Sequence, residues 1–274
     1  MRAAIDGMDW TATPLGERST WPASLRALVS LMLDSPEAMV VWWGDDMCQI
    51  YNDAYAPRIG STEYQTPLGK PAADYWKDSW ATVGPQVQLV LAGYASKSYE
   101  NFLIRIDRNG RVEDTYWTYS FTPVRDDAGV IGGVLVVSTE TTEQVLGVRR
   151  QTTLDWLRQR VAGVESNASL QMAVAAARDV NRGDFDEVAA MSAAEAVEYA
   201  SRPIGTRVCI TSTDLGVDTD IAVAFALSQS RPVDTAFRLF LEQFTLLVAN
   251  ARHRIDIEER RRIVEAERDR LLLD

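Results

Sequence analysis

The sequence of 274 residues contains one histidine and two cysteines, and these shortages exclude several kinds of site. Because His253 has no second histidine to work with, the chain cannot build a multi-histidine metal site or a histidine pair in an active site. Cys48 and Cys209 are far apart in sequence and lack the short spacing of a metal-binding pair. Isolated cysteines suit a reducing compartment, and we expect a cytoplasmic protein.

Long apolar runs and an excess of basic residues are also missing. No stretch approaches the roughly 18 apolar residues that a membrane-spanning helix needs, and the N-terminus has no apolar signal core. Acidic residues outnumber basic ones, 39 to 28, which gives a net charge of −11. An acidic surface repels phosphate backbones and anionic lipid headgroups. We therefore predict no nucleic-acid partner and no membrane partner.

The motifs of common catalytic sites are absent as well. The sequence has no glycine-rich ATP-binding segment, no Walker-type phosphate loop and no nucleophile elbow. His253 lies in the stretch ANARHRIDIEERRR, which lacks the proline that follows the phosphoacceptor histidine of a kinase. A surface histidine on a charged helix is the simpler interpretation. We predict that the chain is not an enzyme and does not phosphorylate itself from ATP.

The sequence does contain enough apolar residues, 46%, to bury sizeable cores, and its length favours two domains. The first half predicts an α+β domain. Thr20 is expected to cap a helix whose apolar face carries Leu25, Leu28, Val29 and Met32. Strands are predicted at 37–44, 47–51, 99–107, 112–124 and 130–138, with a hairpin turn at Asn109-Gly110. Asn52 or Asp53 is expected to cap a short helix, and residues 85–95 form the most regular helical pattern before the third strand.

From Thr139 onward the pattern becomes mostly helical. Helices are predicted at 142–163, 167–181, 185–200 and 234–274, and a hairpin at 206–212 and 219–228. The connecting helix and the last helix carry apolar stripes that are costly to leave exposed, and the last stripe has a coiled-coil-like spacing of seven. We therefore expect a parallel homodimer that uses Leu154, Leu157, Val161, Ile257, Val264 and Leu271.

Parts of the first half resemble a known family. They are DWTATPLGERSTWPASLRALVSLMLDSP, VVWWGDDMCQIYNDAYAPRIG and VEDTYWTYSFTPVRDDAGVIGGVLVVSTETTEQVL. Over about residues 8–145, the chain resembles the N-terminal PAS domains of bacterial sensor histidine kinases and related multi-domain regulators. The resemblance implies an α+β fold with a five-stranded antiparallel sheet and flanking helices. Tyr51, Asn52 and Asp53 would mark the point where the chain leaves this sheet.

A later stretch, LSQSRPVDTAFRLFLEQFTLLVANARHRIDIEERRR, resembles the last strand and final helix of a GAF domain, the usual next module in such kinases. Only about 25 residues, predicted to be helical, lie between position 181 and the hairpin, so the early GAF strands are expected to be absent. We interpret this part as a helix-rich, reduced GAF-like domain without a motif for a cyclic nucleotide or a tetrapyrrole. The expected division is 1–36 N-terminal segment and helix, 37–141 PAS domain, 142–165 connecting signalling helix, 166–250 shortened GAF-like domain and 251–274 exit helix.

The resemblance implies a sensory or regulatory input module of a bacterial signal-transduction protein, such as a two-component system. A change caused by a ligand or a partner would pass through the helices to an output domain outside this chain. A histidine kinase core is the first expectation for that output, and a phosphatase or a diguanylate cyclase are the alternatives. A second interpretation is a stand-alone dimeric adaptor or scaffold that regulates a partner such as a kinase and binds no small molecule.

Aromatic residues are frequent in the predicted PAS domain, where they either fill the core or line a ligand cleft. The candidate cleft residues are Tyr51, Trp76, Trp80, Phe102, Trp117 and Tyr119. No cofactor is predicted, because the Asn-Cys-Arg-Phe-type motif of flavin light sensors is missing and no histidine precedes His253 as a haem ligand. Any ligand would be an unidentified small molecule. Cys48 is expected to be a small buried residue.

The end of the last predicted PAS strand carries a polar cluster at the position of the PAS exit motif. Its residues are Glu140, Thr141 and Thr142. A hydroxyl and a carboxylate there can cap the outgoing helix while they bond to the sheet. The cluster is therefore a candidate for the signal relay, and a plain capping box is an interpretation that can hold at the same time.

Overall fold

The structure, a computed structural model, divides into two compact units, Met1–Val145 and Leu146–Asp274. It describes residues 1–59, 67–108, 111–201, 206–228 and 233–272. The predicted turn at Asn109-Gly110 lies outside the described residues. The division differs from the expected one because the helix predicted as a separate connector contributes to the core of the second unit.

The first unit is built around a five-stranded antiparallel sheet with the strand order β2-β1-β5-β4-β3. In chain order, its elements are α1 (Arg2–Gly7), α2 (Ala23–Asp34), β1 (Met39–Trp43), β2 (Cys48–Tyr51), α3 (Ala72–Tyr75), α4 (Lys77–Leu91), β3 (Lys97–Arg108), β4 (Arg111–Arg125) and β5 (Ile131–Glu140). The predicted α+β class and five strands are confirmed. The short helix predicted after β2 is a 3-10 turn at Ala56–Ile59.

Strand β1 lies inside the sheet, and its sequence shows why. In MVVWW, four consecutive residues are buried, and because successive side chains point to opposite faces of the sheet, both faces of this strand are covered. Val41 stands opposite Ile50 of β2 and Leu135 of β5. Gly44 starts the turn to β2 with a φ of +77°, a conformation that favours glycine.

Two helices of the first unit differ from their predictions. The start of α2 is capped by Asp127, whose carboxylate oxygens accept the N–H groups of Ala23 and Ser24 at 2.8 and 2.9 Å, whereas Thr20 Oγ1 donates to the carbonyl of Glu17. These two bonds hold the pKa of Asp127 below its ordinary value. Helix α4 begins at Lys77, eight residues before the predicted start, although Pro85 lies within it.

The second unit contains a three-stranded antiparallel sheet with the order β6-β8-β7. Helix α5 (Thr142–Ala162) leads into it, followed by α6 (Asn167–Val180), β6 (Phe185–Met191), α7 (Ala193–Ala200), β7 (Thr206–Thr211), β8 (Ala222–Leu227) and α8 (Thr235–Leu271). The single helix predicted at 185–200 is wrong. Its first half is β6, which pairs with β8, and a capping box between Ser192 and Glu195 starts α7.

The apolar stripe of α5 is part of the second unit's core and not an exposed dimer surface. Leu154, Leu157 and Val161 are 6, 0 and 5% exposed and belong to the same buried cluster as residues of α6 and α8. These three residues therefore cannot form the predicted dimer contact while the unit is folded. Exposure of this apolar stripe to water would be unfavourable, and the core of the second unit buries it.

Helix α8 has two parts with different surroundings. Its first part packs on the sheet through residues such as Phe237, Phe244 and Val248, and Ile255 is its last buried residue. Beyond Ile255, the side chains are mostly exposed, and His253, two residues before it, is exposed as well. In the described parts of the chain, no helix is both long enough and apolar enough to cross a lipid bilayer.

Candidate ligand-binding site

A cavity lies in the first unit between the inner face of the sheet and the segments that cross it. The centre of a water-sized sphere can occupy a volume of about 60 Å³ inside it. The described residues that line it are Trp42, Tyr55, Arg58, Trp76, Ser79, Val83, Ile104, Ile106, Trp117, Tyr119, Phe121, Val136 and Ser138. Because side chains alternate along a strand, Trp117, Tyr119 and Phe121 of β4 point to this one face.

Three of the six predicted cleft residues line the cavity: Trp76, Trp117 and Tyr119. Trp80 lies beside it, with its ring 5.6 Å from that of Trp42. The ring of Tyr51 packs against Tyr55 at 6.0 Å and is fully buried. These rings fill the core and do not face the open space.

Phe102, the sixth predicted cleft residue, is also part of the packing around the cavity. Its ring is 6.0 Å from Tyr119 and 5.8 Å from Tyr99. The aromatic residues therefore form two groups, because one set of rings fills the core and another lines a small space.

Most polar atoms of the lining rings already have partners. The indole N–H of Trp117 donates to Thr115 Oγ1 at 2.7 Å, and the hydroxyl of Tyr119 donates to Gln86 Oε1 at 2.9 Å. Burial raises the pKa of Tyr119 to about 12, so this hydroxyl stays protonated at neutral pH. The indole N–H of Trp76 lies 3.3 Å from Gln49 Oε1. These three groups are thus fixed by the protein itself.

Two polar atoms of the lining residues are buried and lack a partner within the described part of the chain. They are the indole Nε1 of Trp42 and the hydroxyl Oγ of Ser138. Their side chains belong to residues that are 3 and 5% exposed. Arg58 donates from Nη1 to the carbonyl oxygen of Ser138 at 3.0 Å. A charged group and two unused hydrogen-bonding groups therefore meet in an otherwise apolar space.

Sequence reasoning missed Trp42, Arg58 and Ser138. One signal for Ser138 was available, because it follows Val134 and Val136 at a spacing of two and so lies on the buried face of β5. A hydroxyl on such a face calls for a partner. The place of Arg58 depends on how the chain crosses the sheet, which no local pattern reveals.

The three predicted relay residues lie together where β5 ends and α5 begins. Thr142 is 1% exposed, and its Oγ1 accepts the backbone N–H of Tyr116 at 3.0 Å and lies 2.9 Å from Glu140 Oε1. The N–H of Thr141 donates to the carbonyl of Tyr116 at 2.8 Å. Tyr116 precedes the cavity residue Trp117 on β4. The start of α5 is thus hydrogen-bonded to a strand that forms a wall of the cavity.

In the second unit, α5 is fixed by a buried polar network. Arg150 and Asp184 are 7 and 4% exposed, and Arg150 Nε lies 3.4 Å from Asp184 Oδ2. The same carboxylate oxygen accepts from Asn181 Nδ2 at 3.0 Å. The guanidinium carbon of Arg150 is 4.2 Å from the ring centre of Phe237. One side chain of α5 therefore contacts both α8 and the residue directly before β6 in its own unit.

Burial keeps the thiol of Cys48 in its unreactive form. Cys48 is fully buried and lies 3.0 Å from the carbonyl of Gly69, and burial raises the pKa of its thiol to about 12, so the thiol stays protonated. Cys48 is thus the small buried residue that was predicted. Among the described residues, no cluster of three or more histidine, cysteine, aspartate or glutamate side chains could hold a metal ion.

Comparison with protein families identifies the fold of the first unit. Residues 34–146 match the family model of the PAS fold, and this part of the chain is a PAS domain. PAS domains generally act as sensory or signalling modules. A comparison with curated proteins gave no match.

Several solved structures are similar to part of the chain at low identity. The PAS domain of a protein from Colwellia psychrerythraea shares 15% identity, with 43% of this chain and 98% of that chain covered and a TM-score of 0.34. The PAS domain of BvgS from Bordetella pertussis shares 22%, with 48% and 96% covered and a TM-score of 0.34. A sensory box sensor histidine kinase from Vibrio cholerae shares 17%, with 43% and 90% covered and a TM-score of 0.29.

Proposed function

We propose that the chain is a sensory input module in which occupancy of the PAS cavity changes the start of α5, and in which α5 and α8 carry this change to an output domain outside these residues. A histidine kinase core is the output class that we propose. The second unit acts as a reduced GAF-like relay domain. The proposal gives the chain no catalytic step of its own.

The observation that carries the proposal is the bond between Thr142 and Tyr116. Trp117 and Tyr119, the next inward-facing residues of β4, line the cavity, so a ligand that moves this strand also moves the hydrogen-bond partner of α5. Eight residues further along the helix, Arg150 is held by Asp184 in the second unit. A helix held at two places along its length can transmit a small shift, because helices move as rigid elements.

The test fills the cavity permanently with a larger side chain in place of a ligand. Val83 lines the cavity from α4, and Val83→Phe adds a ring there at an expected cost of about 1 to 3 kcal/mol. We expect Val83→Phe to change amide hydrogen exchange several-fold in peptides from residues 142–162. Thr142→Val keeps the shape of the side chain but removes its hydroxyl, and we expect it to abolish that response in the double variant.

The matched control is Thr152→Val on the exposed face of the same helix, where the hydroxyl donates to the carbonyl of Val148 at 2.8 Å. This variant should leave the response to Val83→Phe intact. The proposal is wrong if the double variant with Thr142→Val responds as strongly as Val83→Phe alone. It is also wrong if Val83→Phe folds and leaves exchange in α5 unchanged.

A homodimer is a further part of the proposal, and its support is restricted to the end of α8. Ile257, Val264 and Leu271 are 53, 66 and 72% exposed and recur every seven residues. A helix segment that projects from its core is marginally stable alone, and a second copy would cover its apolar positions. Arg260 and Glu267 interrupt the seam, so we expect weak association that depends on protein concentration.

Sedimentation velocity over a range of concentrations tests this dimer. Val264→Arg places like charges in the seam, and we expect it to leave only monomer at concentrations where the wild type is a dimer. Ala266→Arg is the matched control, because it adds the same charge about 200° around the helix and should leave the dimer unchanged. A wild type that is monomeric at every concentration, or a Val264→Arg variant that still dimerises, would refute this part.

A further inference from the structure

We propose that the cavity of the first unit binds a small monocarboxylate whose apolar body is no larger than a single ring. This inference rests on the proposed sensory function and names the ligand class of the same cavity. It follows from three features of the described lining residues: one cation without an acidic neighbour in the lining, two buried groups without a partner, and a small aromatic space.

The charge of the cavity favours an anion. Arg58 is the one charged residue among the described lining residues, and no aspartate or glutamate stands among them. A guanidinium carries five N–H donors in a planar fork, and among the residues that the structure describes, the carbonyl of Ser138 takes one of them. The N–H donors that remain on the guanidinium bind a carboxylate better than a neutral group, because charge-assisted hydrogen bonds to arginine are shorter and stronger.

The two groups without a partner show what else the ligand supplies. Leaving a buried donor or acceptor unpaired costs about 1 to 3 kcal/mol, so native proteins pair such groups or use them. Trp42 Nε1 can only donate, and Ser138 Oγ can donate or accept. A carboxylate has two oxygens with about four acceptor positions, enough for both groups and for Arg58. The bond from the guanidinium of Arg58 to the backbone carbonyl of Ser138 brings the cation to the residue that carries this hydroxyl.

The remaining surface sets the size and polarity of the ligand's body. Rings and aliphatic side chains form most of the lining, and the polar atoms of Trp117 and Tyr119 are already bonded within the protein. The open volume of about 60 Å³ is well below that of sites for drug-sized ligands, which are roughly 300 to 1,000 Å³. A single ring or a short branched chain is therefore the largest body that the space admits with modest side-chain movement.

Titration calorimetry with benzoate and its neutral isostere benzamide tests the ligand class on the full chain. We expect benzoate to bind at least tenfold more tightly than benzamide. In Arg58→Gln, this preference should be lost or reversed, because the charge of benzoate then enters a buried site without a partner. Arg2→Gln, which removes an exposed arginine from the same unit, is the matched control and should keep the full difference.

A second readout reports on Trp42 directly. In a protein with ¹⁵N-labelled tryptophan, eight indole N–H signals are expected, and Trp42→Phe identifies one of them by its loss. We expect this signal to move downfield when benzoate binds, because its N–H gains an acceptor. Ser138→Ala should weaken benzoate binding several-fold without changing the preference over benzamide.

The outcomes separate the ligand class from the function on which it rests. If benzamide binds as tightly as benzoate, and Arg58→Gln changes neither affinity, the carboxylate inference is wrong while the cavity remains a ligand site. If neither compound binds and the Trp42 signal does not move, the monocarboxylate inference is wrong. If Val83→Phe also leaves amide hydrogen exchange in α5 unchanged, the proposed sensory function is wrong as well.

Discussion

Replacing Asn52 with alanine is expected to lower the free energy of unfolding of the first unit by about 3 to 5 kcal/mol. The side chain is 1% exposed and joins three segments. Its Nδ2 donates to the carbonyl oxygens of Met32, Ser35 and Glu37 at 2.9, 3.3 and 2.7 Å. Its Oδ1 accepts the N–H groups of Met39 and Tyr55 at 3.1 and 3.0 Å.

The expected loss is large because the alanine variant leaves backbone groups, not only a side chain, without partners. The carbonyl of Met32 is near the end of α2, and the N–H of Met39 begins β1. Each unpaired buried group costs about 1 to 3 kcal/mol, although water and small movements recover part of the sum. Asn52 thus connects the helix to the first hairpin and also starts the 3-10 turn through Tyr55.

Urea unfolding followed by tryptophan fluorescence measures this effect, because seven of the eight tryptophans belong to the first unit. Asn52→Asp has the same shape but no N–H donors, and at neutral pH it should be at least as destabilising as Asn52→Ala. The control Gln88→Ala removes an exposed amide from α4 and should change the stability by less than about 0.5 kcal/mol. A loss below about 1 kcal/mol in Asn52→Ala would contradict the proposed role.

The sheet of the first unit was predictable because its signals are local. Alternating apolar residues and turn residues mark each strand within a window of a few positions, and the order of strands and helices then restricted the fold. The cap of α2 was not predictable in this way, since Asp127 is 104 residues away from Ala23. Strand β6 was missed because the stretch FDEVAAMSAAEAVEYA is rich in alanine as a whole, and the pairing of its first part with β8 overrides that local preference.

The candidate site could be predicted only in outline. The high frequency of aromatic residues led to the prediction of a cleft, and the predicted residues Trp76, Trp117 and Tyr119 line the cavity. Whether a ring faces open space or fills a gap depends on its neighbours in three dimensions, and Trp80 and Tyr51 show the second case. The relay residues were predicted from the position of the exit motif in the PAS resemblance, at a change from a period of two to a helical period, and their signalling role stays a prediction.

Breaking the buried ion pair of Arg150 is expected to destabilise the second unit by about 3 to 5 kcal/mol. Arg150→Met preserves much of the aliphatic volume but leaves the carboxylate of Asp184 without its cation in a buried position. Asn181 then remains as a neutral donor to that carboxylate. The variant also loses the contact of the guanidinium with the ring of Phe237.

Hydrogen exchange in peptides from β8 measures this change, because that strand is central in the second sheet and opens only when the unit unfolds. A double-mutant cycle separates the pair from the burial of each group. Asp184→Asn alone should also be destabilising, and Arg150→Met combined with Asp184→Asn should cost less than the sum of the single variants, because no buried charge is left unpaired.

The matched control is Arg182→Met, which removes an arginine from the exposed ion pair with Asp179, where a loss of at most about 1 kcal/mol is expected. Additive effects in the cycle would mean that the two side chains act independently and that packing alone holds α5. A coupling of about 1 kcal/mol or more would instead make the pair a specific connection between α5 and the β6 entry. In that case, a shift of α5 would move Asp184 with it, which is what the proposed relay requires of the second unit.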